Sequence, residues 1–135
     1  LAQKISGLPF TIVGDGNQKR DFTYVTDGVE AIVKAFKSNI NGEIFNVGSG
    51  NTISVNYIVK KLIGKKIFIP KRPGEPYKTF ADIKKIKKYL RWKPRINIDK
   101  GIKLLLKNID DWRDAPVWTK KKINIATKSW FKYLK

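Results

Sequence analysis

Apolar residues recur along the chain in short blocks whose spacing switches between the strand period of two and the helix period of 3.6. Residues 2–6 read as the last turns of a helix closed by Gly7, and Phe10-Thr11-Ile12-Val13 as a β-branched strand ended by the turn Gly14-Asp15-Gly16-Asn17. A second extended run is expected at Phe22-Thr23-Tyr24-Val25. Thr26 or Asp27 then caps a helix with Val29, Ile32, Val33 and Phe36 on one face. Gly28 in its first turn costs up to about 1 kcal/mol against Ala. Residues 43–47, Glu-Ile-Phe-Asn-Val, read as a buried strand before a tight loop at Gly48-Ser49-Gly50-Asn51.

Ser54 caps the next helix, whose inward face is Val55, Ile58, Val59, Leu62 and Ile63, with Gly64 in the left-handed position after its end. Lys66-Ile67-Phe68-Ile69 is a strand stopped by Pro70, and residues 71–79, KRPGEPYKT, form a loop. Asp82 caps a short helix with Ile83, Ile86 and Leu90 inward, which Trp92-Lys93-Pro94 breaks. Asp99 caps another, with Ile102, Leu105, Leu106 and Ile109 as its stripe. After Asp114-Ala115-Pro116, Thr119 caps a final helix with the face Ile123, Ala126, Trp130, Phe131 and Leu134. Alternating strands and helices without an internal repeat indicate an α/β class.

Composition narrows the chemistry. A chain of 135 residues allows one domain or part of one, and 41% hydrophobic residues support a packed core rather than a disordered chain. There is no Cys, so a disulfide scaffold and a thiolate metal site are out; with no His, the usual general base and most zinc chemistry go too, and no metal site is expected. No apolar run approaches the ~20 residues of a membrane span, and the first residues lack a signal peptide's apolar stretch. The chain starts at Leu1 and contains no Met, so the expectation is a piece of a longer polypeptide, or a product of proteolytic maturation.

The net charge of +18 is unevenly spread. Residues 1–50 hold five basic and five acidic side chains, residues 51–100 fifteen and three, and residues 101–135 nine and three. Such asymmetry fits a polyanion-binding surface. It also fits a compositional background, and the residue types favour that account. The basic residues are 24 Lys and only five Arg, accompanied by 18 Ile and nine Asn. Base readout and bidentate phosphate capture favour Arg.

Two clusters carry candidate chemistry. In Gln18-Lys19-Arg20-Asp21-Phe22 a loop delivers Arg20 to the edge of an extended run, where its paired N–H donors suit a phosphate; a surface ion pair with Asp21 is the plainer reading. In Lys71-Arg72-Pro73-Gly74-Glu75-Pro76 the prolines stiffen the loop and Gly74 permits an unusual backbone angle, holding a cation and a carboxylate three residues apart. That pair suits a ligand with phosphate and hydroxyls, or is simply a rigid connection with solvated charges. The triplets Gly14-Asp15-Gly16 and Gly48-Ser49-Gly50 lack the third glycine of a dinucleotide fingerprint and read as turns. Trp92, Trp112, Trp118 and Trp130 invite base or sugar stacking, but each lies at a helix end or on an apolar stripe, which favours packing.

In order and spacing, GDGNQKRDFTYVTD at 14–27, GEIFNVGSGNTISV at 42–55 and KRPGEPYKTFADIKKIKKYLRWKP at 71–94 closely resemble the C-terminal half of NAD-dependent nucleotide-sugar epimerases and dehydratases, which are extended short-chain dehydrogenase/reductase enzymes. The resemblance implies an α/β fold: the C-terminal part of a Rossmann-type enzyme, mainly its small substrate-binding lobe of short strands and several helices. It implies that residues 1–110 are that lobe and 111–135 a C-terminal helical extension. Arg20 and Arg72 look like the two diphosphate-contacting arginines, Glu75 like the acid that hydrogen-bonds the ribose, and Thr11 and Val13 like strand positions near the base. Asn46 and the Gly48–Gly50 turn look structural. Tyr77 and Gly28 depart from the Asp and branched apolar residue common there.

The same resemblance implies that NAD and the catalytic Ser/Thr-Tyr-xxx-Lys set belong to an N-terminal domain this chain lacks. No catalytic or cofactor-binding residue is therefore expected. Tyr57 and Lys61 spell YxxxK but fall on the wrong side of the motif order. The implied partner is a nucleoside-diphosphate sugar, with no nucleic acid and no membrane; the parent would be a cytoplasmic homodimer in cell-surface polysaccharide synthesis, oxidising its sugar transiently at C4, with this piece inactive alone. The alternatives are a basic polyanion- or nucleic-acid-binding module and a gene remnant.

Overall fold

The computed structural model describes residues 1–134; Lys135, the end of the 111–135 extension, lies outside the described residues. In chain order the elements are α1 (Ala2–Ile5), β1 (Phe10–Val13), β2 (Lys19–Arg20), α2 (Val25–Phe36), β3 (Ile53–Ser54), α3 (Val55–Leu62), β4 (Lys66–Ile69), α4 (Lys84–Leu90), α5 (Ile98–Lys107), a 3₁₀ turn (Ile109–Trp112), α6 (Lys120–Ala126) and α7 (Lys128–Tyr133). The class is α/β, as the alternating pattern predicts. The chain divides into two compact units: one holds Leu1–Gln18, Ser54–Tyr77 and everything from Ile102 onward, the other Lys19–Ile53 and Lys78–Gly101.

The first unit is built on β1 and β4, which pair in parallel with Phe10 opposite Lys66 and Val13 opposite Ile69. Parallel neighbours need a crossover, which here includes α3. Alternation along β1 sends Phe10 and Ile12 inward, where they pack on Val59 with Val55 and Leu62 beside it. Thr11 and Val13 are left half-buried on the opposite face. Ser54 caps α3 as the sequence predicts, its hydroxyl accepting from Tyr57 N at 3.2 Å.

The left-handed position after α3 is not Gly64 but Ile63, at φ +53°. Gly64 is needed for a different reason: a Cβ there would lie 2.7 Å from Cε2 of the buried Phe10 ring. The final helix is also not continuous. Thr119 caps α6, accepting from Lys122 N, but Thr127 separates α6 from α7, and both its amide and its hydroxyl donate to Ile123 O at 2.9 Å. Of the expected face Ile123, Ala126, Trp130, Phe131 and Leu134, only Ile123 is buried and only Trp130 half-buried. In α5, Ile102 is buried, whereas Leu105 of the expected stripe is exposed.

The second unit centres on Ala31 of α2 and Ile83, Ile86, Leu90 and Trp92 around α4, with Ile40, Phe45 and Ala81 against them. Ile83, Ile86 and Leu90 face inward as predicted. Asp82 accepts from Lys84 N at 2.9 Å, one residue before the helix's N-cap position at Ile83. Trp92 is completely buried, and its Nε1–H donates to Asp27 O at 3.0 Å.

Five expectations fail in this unit. Residues 22–24 pair with no strand, and the ladder lies earlier, at β2. α2 starts at Val25 with Tyr24 as N-cap, so neither Thr26 nor Asp27 caps it. Asp27 is instead a buried acceptor for Arg95 N (3.1 Å) and Ile96 N (3.0 Å). The 43–47 run forms no strand: no described segment pairs with it, and Ile44 is 84% exposed. Asn97, rather than Asp99, accepts from Lys100 N at the start of α5. The stripe Val29, Ile32, Val33 and Phe36 forms on α2 but remains exposed, Phe36 to 88%, because Asp27 and Ala31 are the residues turned inward. No helix among the described residues is long and apolar enough to cross a membrane.

Candidate functional site

The first unit brings Arg72, Glu75 and Thr11 together. Strand β4 ends at Ile69, and the 71–76 loop takes Arg72 and Glu75 away from it; Gly74 has φ +73°, the left-handed angle that the motif predicts. Arg72 Nη1 donates to Glu75 Oε1 at 3.3 Å, with both side chains about a quarter exposed (25% and 27%). An ion pair this solvated is worth about 0–1 kcal/mol, so it orients the guanidinium more than it stabilises the fold. The Trp130 indole lies on the other flank of Arg72, ring centroid 5.6 Å from Cζ, within cation–π range. Trp130 Nε1–H donates to Pro73 O at 2.9 Å, which ties the ring to the same loop.

Arg72 and Trp130, but not Glu75, border an open cavity of about 450 Å³ lined also by Thr11, Trp118, Ile123, Ala126 and Thr127. Its wall at β1 is set by Gln3 of α1. The Gln3 amide accepts from Thr11 N (3.3 Å) and donates to Thr11 Oγ1 (2.9 Å) and Trp118 O (2.7 Å), joining strand and C-terminal segment. Val13 shares the strand face of Thr11 but does not line the cavity; its carbonyl accepts from Gln18 Nε2 at 2.9 Å. In the 14–17 turn, the Asn17 N–H (2.9 Å), followed by its Nδ2 (3.0 Å), holds the Asp15 carboxyl below the ordinary aspartate range.

Arg20 belongs to the second unit, on the two-residue strand β2, where its Nη1 donates to Lys19 O at 2.8 Å. Its neighbour Asp21 does not serve as a surface partner. One carboxylate oxygen accepts from the Ser49 amide (2.6 Å) and hydroxyl, and the other from Ala81 N (3.3 Å), so Asp21 clamps the 48–51 loop to β2. A Cβ on Gly48 would fall 2.6 Å from both Asp21 Oδ2 and Ala81 Cβ, so this glycine serves packing.

The two glycine triplets do not fit a dinucleotide: the first turn leads into β2 and the second into β3, so neither offers a pyrophosphate the amides of a helix N-terminus. Tyr57 and Lys61 both lie on α3, with the ammonium 5.1 Å from the ring centroid. No cluster of three or more acidic residues that could hold a metal occurs among the described residues. The sequence singles out Trp118 and Trp130 as stacking candidates but favours packing for both, Trp118 at a helix end and Trp130 on an apolar stripe; Gln3 carries no signal.

Comparison with known proteins puts this geometry in context. The sequence model of the GDP-mannose 4,6 dehydratase family matches residues 2–105. UDP-glucuronate 4-epimerase of Thermodesulfobacterium geofontis is 41% identical over 102 residues, which are 70% of this chain and 31% of that protein. UDP-glucuronic acid decarboxylase 1 of Arabidopsis thaliana is 34% identical over 107 residues, 76% of this chain and 25% of that protein. Among solved structures, UDP-glucuronic acid 4-epimerase from Bacillus cereus, determined with UDP-glucuronic acid and NAD, superposes with a TM-score of 0.76 at 33% identity, over 82% of this chain and 38% of its own. The chain thus spans about a quarter to a third of the length of these curated relatives.

Proposed function

The chain belongs to the GDP-mannose 4,6 dehydratase family of NAD-dependent nucleotide-sugar epimerases and dehydratases, and from that premise we propose that it is the part of such an enzyme that grips the nucleoside diphosphate of the sugar substrate. The observation that carries this reading is the Arg72–Glu75 pair on its proline-containing loop, with Arg72 lining the cavity of about 450 Å³. A nucleoside diphosphate carries about two negative charges, and a guanidinium oriented in advance offers paired N–H donors at little further entropic cost. Glu75 fixes that fork and keeps carboxylate lone pairs for ribose hydroxyls. Thr11 lies on the cavity's strand wall, with Val13 further along the same strand face. Arg20 is the second arginine assigned to the diphosphate.

In a parent enzyme NAD, held by residues other than those described, would supply reversible hydride transfer, so that the sugar would be oxidised transiently at C4 before epimerisation or loss of water. Residues 1–110 form the substrate-binding lobe and 111–135 the helical extension. The reading extends to a cytoplasmic homodimer that supplies sugars for cell-surface polysaccharide.

Titration calorimetry on the chain with UDP-, dTDP- and GDP-sugars tests it. Each charge-assisted hydrogen bond contributes about 1.5–3 kcal/mol, so Arg72→Ala and Arg20→Ala should each weaken binding of the preferred ligand by roughly 10- to 100-fold. Unchanged dissociation constants remove these assignments. The isolated chain is expected to show no turnover, and detected epimerisation or dehydration overturns that expectation. Competition with duplex DNA at two salt concentrations decides against a polyanion-binding module if the nucleotide sugar holds its site as the DNA is displaced by salt.

A further inference from the structure

We propose that the C-terminal segment, which lies beyond the 2–105 family match, completes a stacking subsite for the planar base of the bound nucleotide, with Trp118 and Trp130 as its aromatic walls. The inference rests on reading Arg72 as a phosphate ligand. Its own evidence is the cavity: about 450 Å³ lies within the roughly 300–1,000 Å³ range of small-molecule sites, and its lining combines two indoles, two aliphatic side chains, one guanidinium and two threonines whose hydroxyls already bond to Gln3 and to Ile123 O. That composition selects for a flat, polarisable group joined to an anion. A sugar alone would find the two threonine hydroxyls already engaged, and an inorganic anion would find one arginine beside large aromatic walls.

The Trp130 indole is held in place, and the backbone that carries Trp118 is anchored. Trp130 is fixed by its hydrogen bond to Pro73 O and its contact with Arg72. Trp118 is tethered through its carbonyl to Gln3, whose amide group also holds Thr11. Trp118 is nonetheless 54% exposed, a large apolar surface left open on a cavity wall. Stacking a base against it removes that surface from water. Trp112, in the same segment and 41% exposed, does not line the cavity and serves as the internal control.

The test compares ligands with and without a base on the full 135-residue chain. Tryptophan fluorescence and calorimetry are read for UDP, GDP and inorganic pyrophosphate. One stacked base is expected to make a nucleoside diphosphate bind about tenfold or more tightly than pyrophosphate. In Trp118→Leu that advantage should fall to about twofold or less, with pyrophosphate affinity held within about twofold; in Trp130→Leu the advantage should fall likewise, and Trp112→Leu should keep it. Equal affinity for UDP, GDP and pyrophosphate in the unaltered chain, or an advantage that survives both cavity substitutions, overturns the subsite and leaves the arginine assignment standing. Absence of binding by all three overturns both. Should a leucine variant lose its far-UV circular dichroism, proton NOEs from UDP to the indoles of the unaltered chain decide. Cross-peaks from uracil H5 and H6 to Trp118 and Trp130 support the subsite, and their absence in the saturated complex overturns it.

Discussion

Two aspartates show how similar residues take different tasks from their surroundings. Asp21 and Asp27 each stand near the beginning of a segment, where short polar side chains usually cap or turn the chain. Both instead bind backbone amides from segments far along the sequence: Asp21 takes those of Ser49 and Ala81, and Asp27 those of Arg95 and Ile96. Local pattern names such a residue but not its partner. Asp27 is only 3% exposed, so deleting its carboxylate strands two amides in a place water reaches poorly. Asp27→Ala is expected to destabilise the chain by about 3 kcal/mol, and Asp27→Asn, which still offers an acceptor oxygen, by less. Urea denaturation of both variants checks this; equal losses would remove the role given to the carboxylate. Glu75 and Arg72 stand apart from these aspartates because their partnership is local, three residues along a proline-stiffened loop.

Helix α3 agrees with its sequence at the N-terminal end and departs from it at the other, where Ile63 of the expected inward face lies outside the helix and is exposed. Its cap, its start and its buried Val59 all follow from spacing alone. Ser54→Ala removes the acceptor for Tyr57 N and is expected to cost about 1 kcal/mol, whereas Ser54→Asp should preserve stability. Thermal denaturation distinguishes them, and an alanine variant as stable as the parent would show that water replaces the cap without loss. The neighbouring α2 shows what periodicity leaves open. Its stripe is a property of the helix itself, but whether the stripe is covered depends on what packs there, and within this chain Val29, Ile32 and Phe36 stay in solvent. The 43–47 run fails as a strand for the same kind of reason: a ladder requires a second strand, which no local propensity supplies.

For the whole molecule, charge and coverage carry the argument. The +18 net charge lies wholly after residue 50, and the basic residues are mostly lysine. Self-repulsion of this size destabilises the compact state and is screened within about 10 Å at 0.1 M salt and about 3 Å at 1 M. Raising sodium chloride from about 0.02 M to 0.5 M is therefore expected to raise Tm by a few degrees, and an unchanged or lower Tm would show that the lysines are already compensated. The chain covers only 38% of the Bacillus cereus epimerase and is matched by the family model through residue 105. The segment after it carries the two tryptophans that wall the cavity beside Arg72.

By itself the sequence determined the α/β class, the strand and helix at Phe10–Val13 and Val55–Leu62, the turn at Gly74 and the motif set that marks the family. These depend on backbone preference, capping and apolar period, all of which act within a few residues. Only the tertiary structure decided that Asp21 and Asp27 are internal clamps, that Gly64 serves the Phe10 ring, and that Gln3, Thr11, Arg72, Trp118 and Trp130 share one neighbourhood. Gln3 and Trp118 are 115 residues apart. Contacts at such separation follow from how the elements pack, and no local spacing in the sequence encodes them.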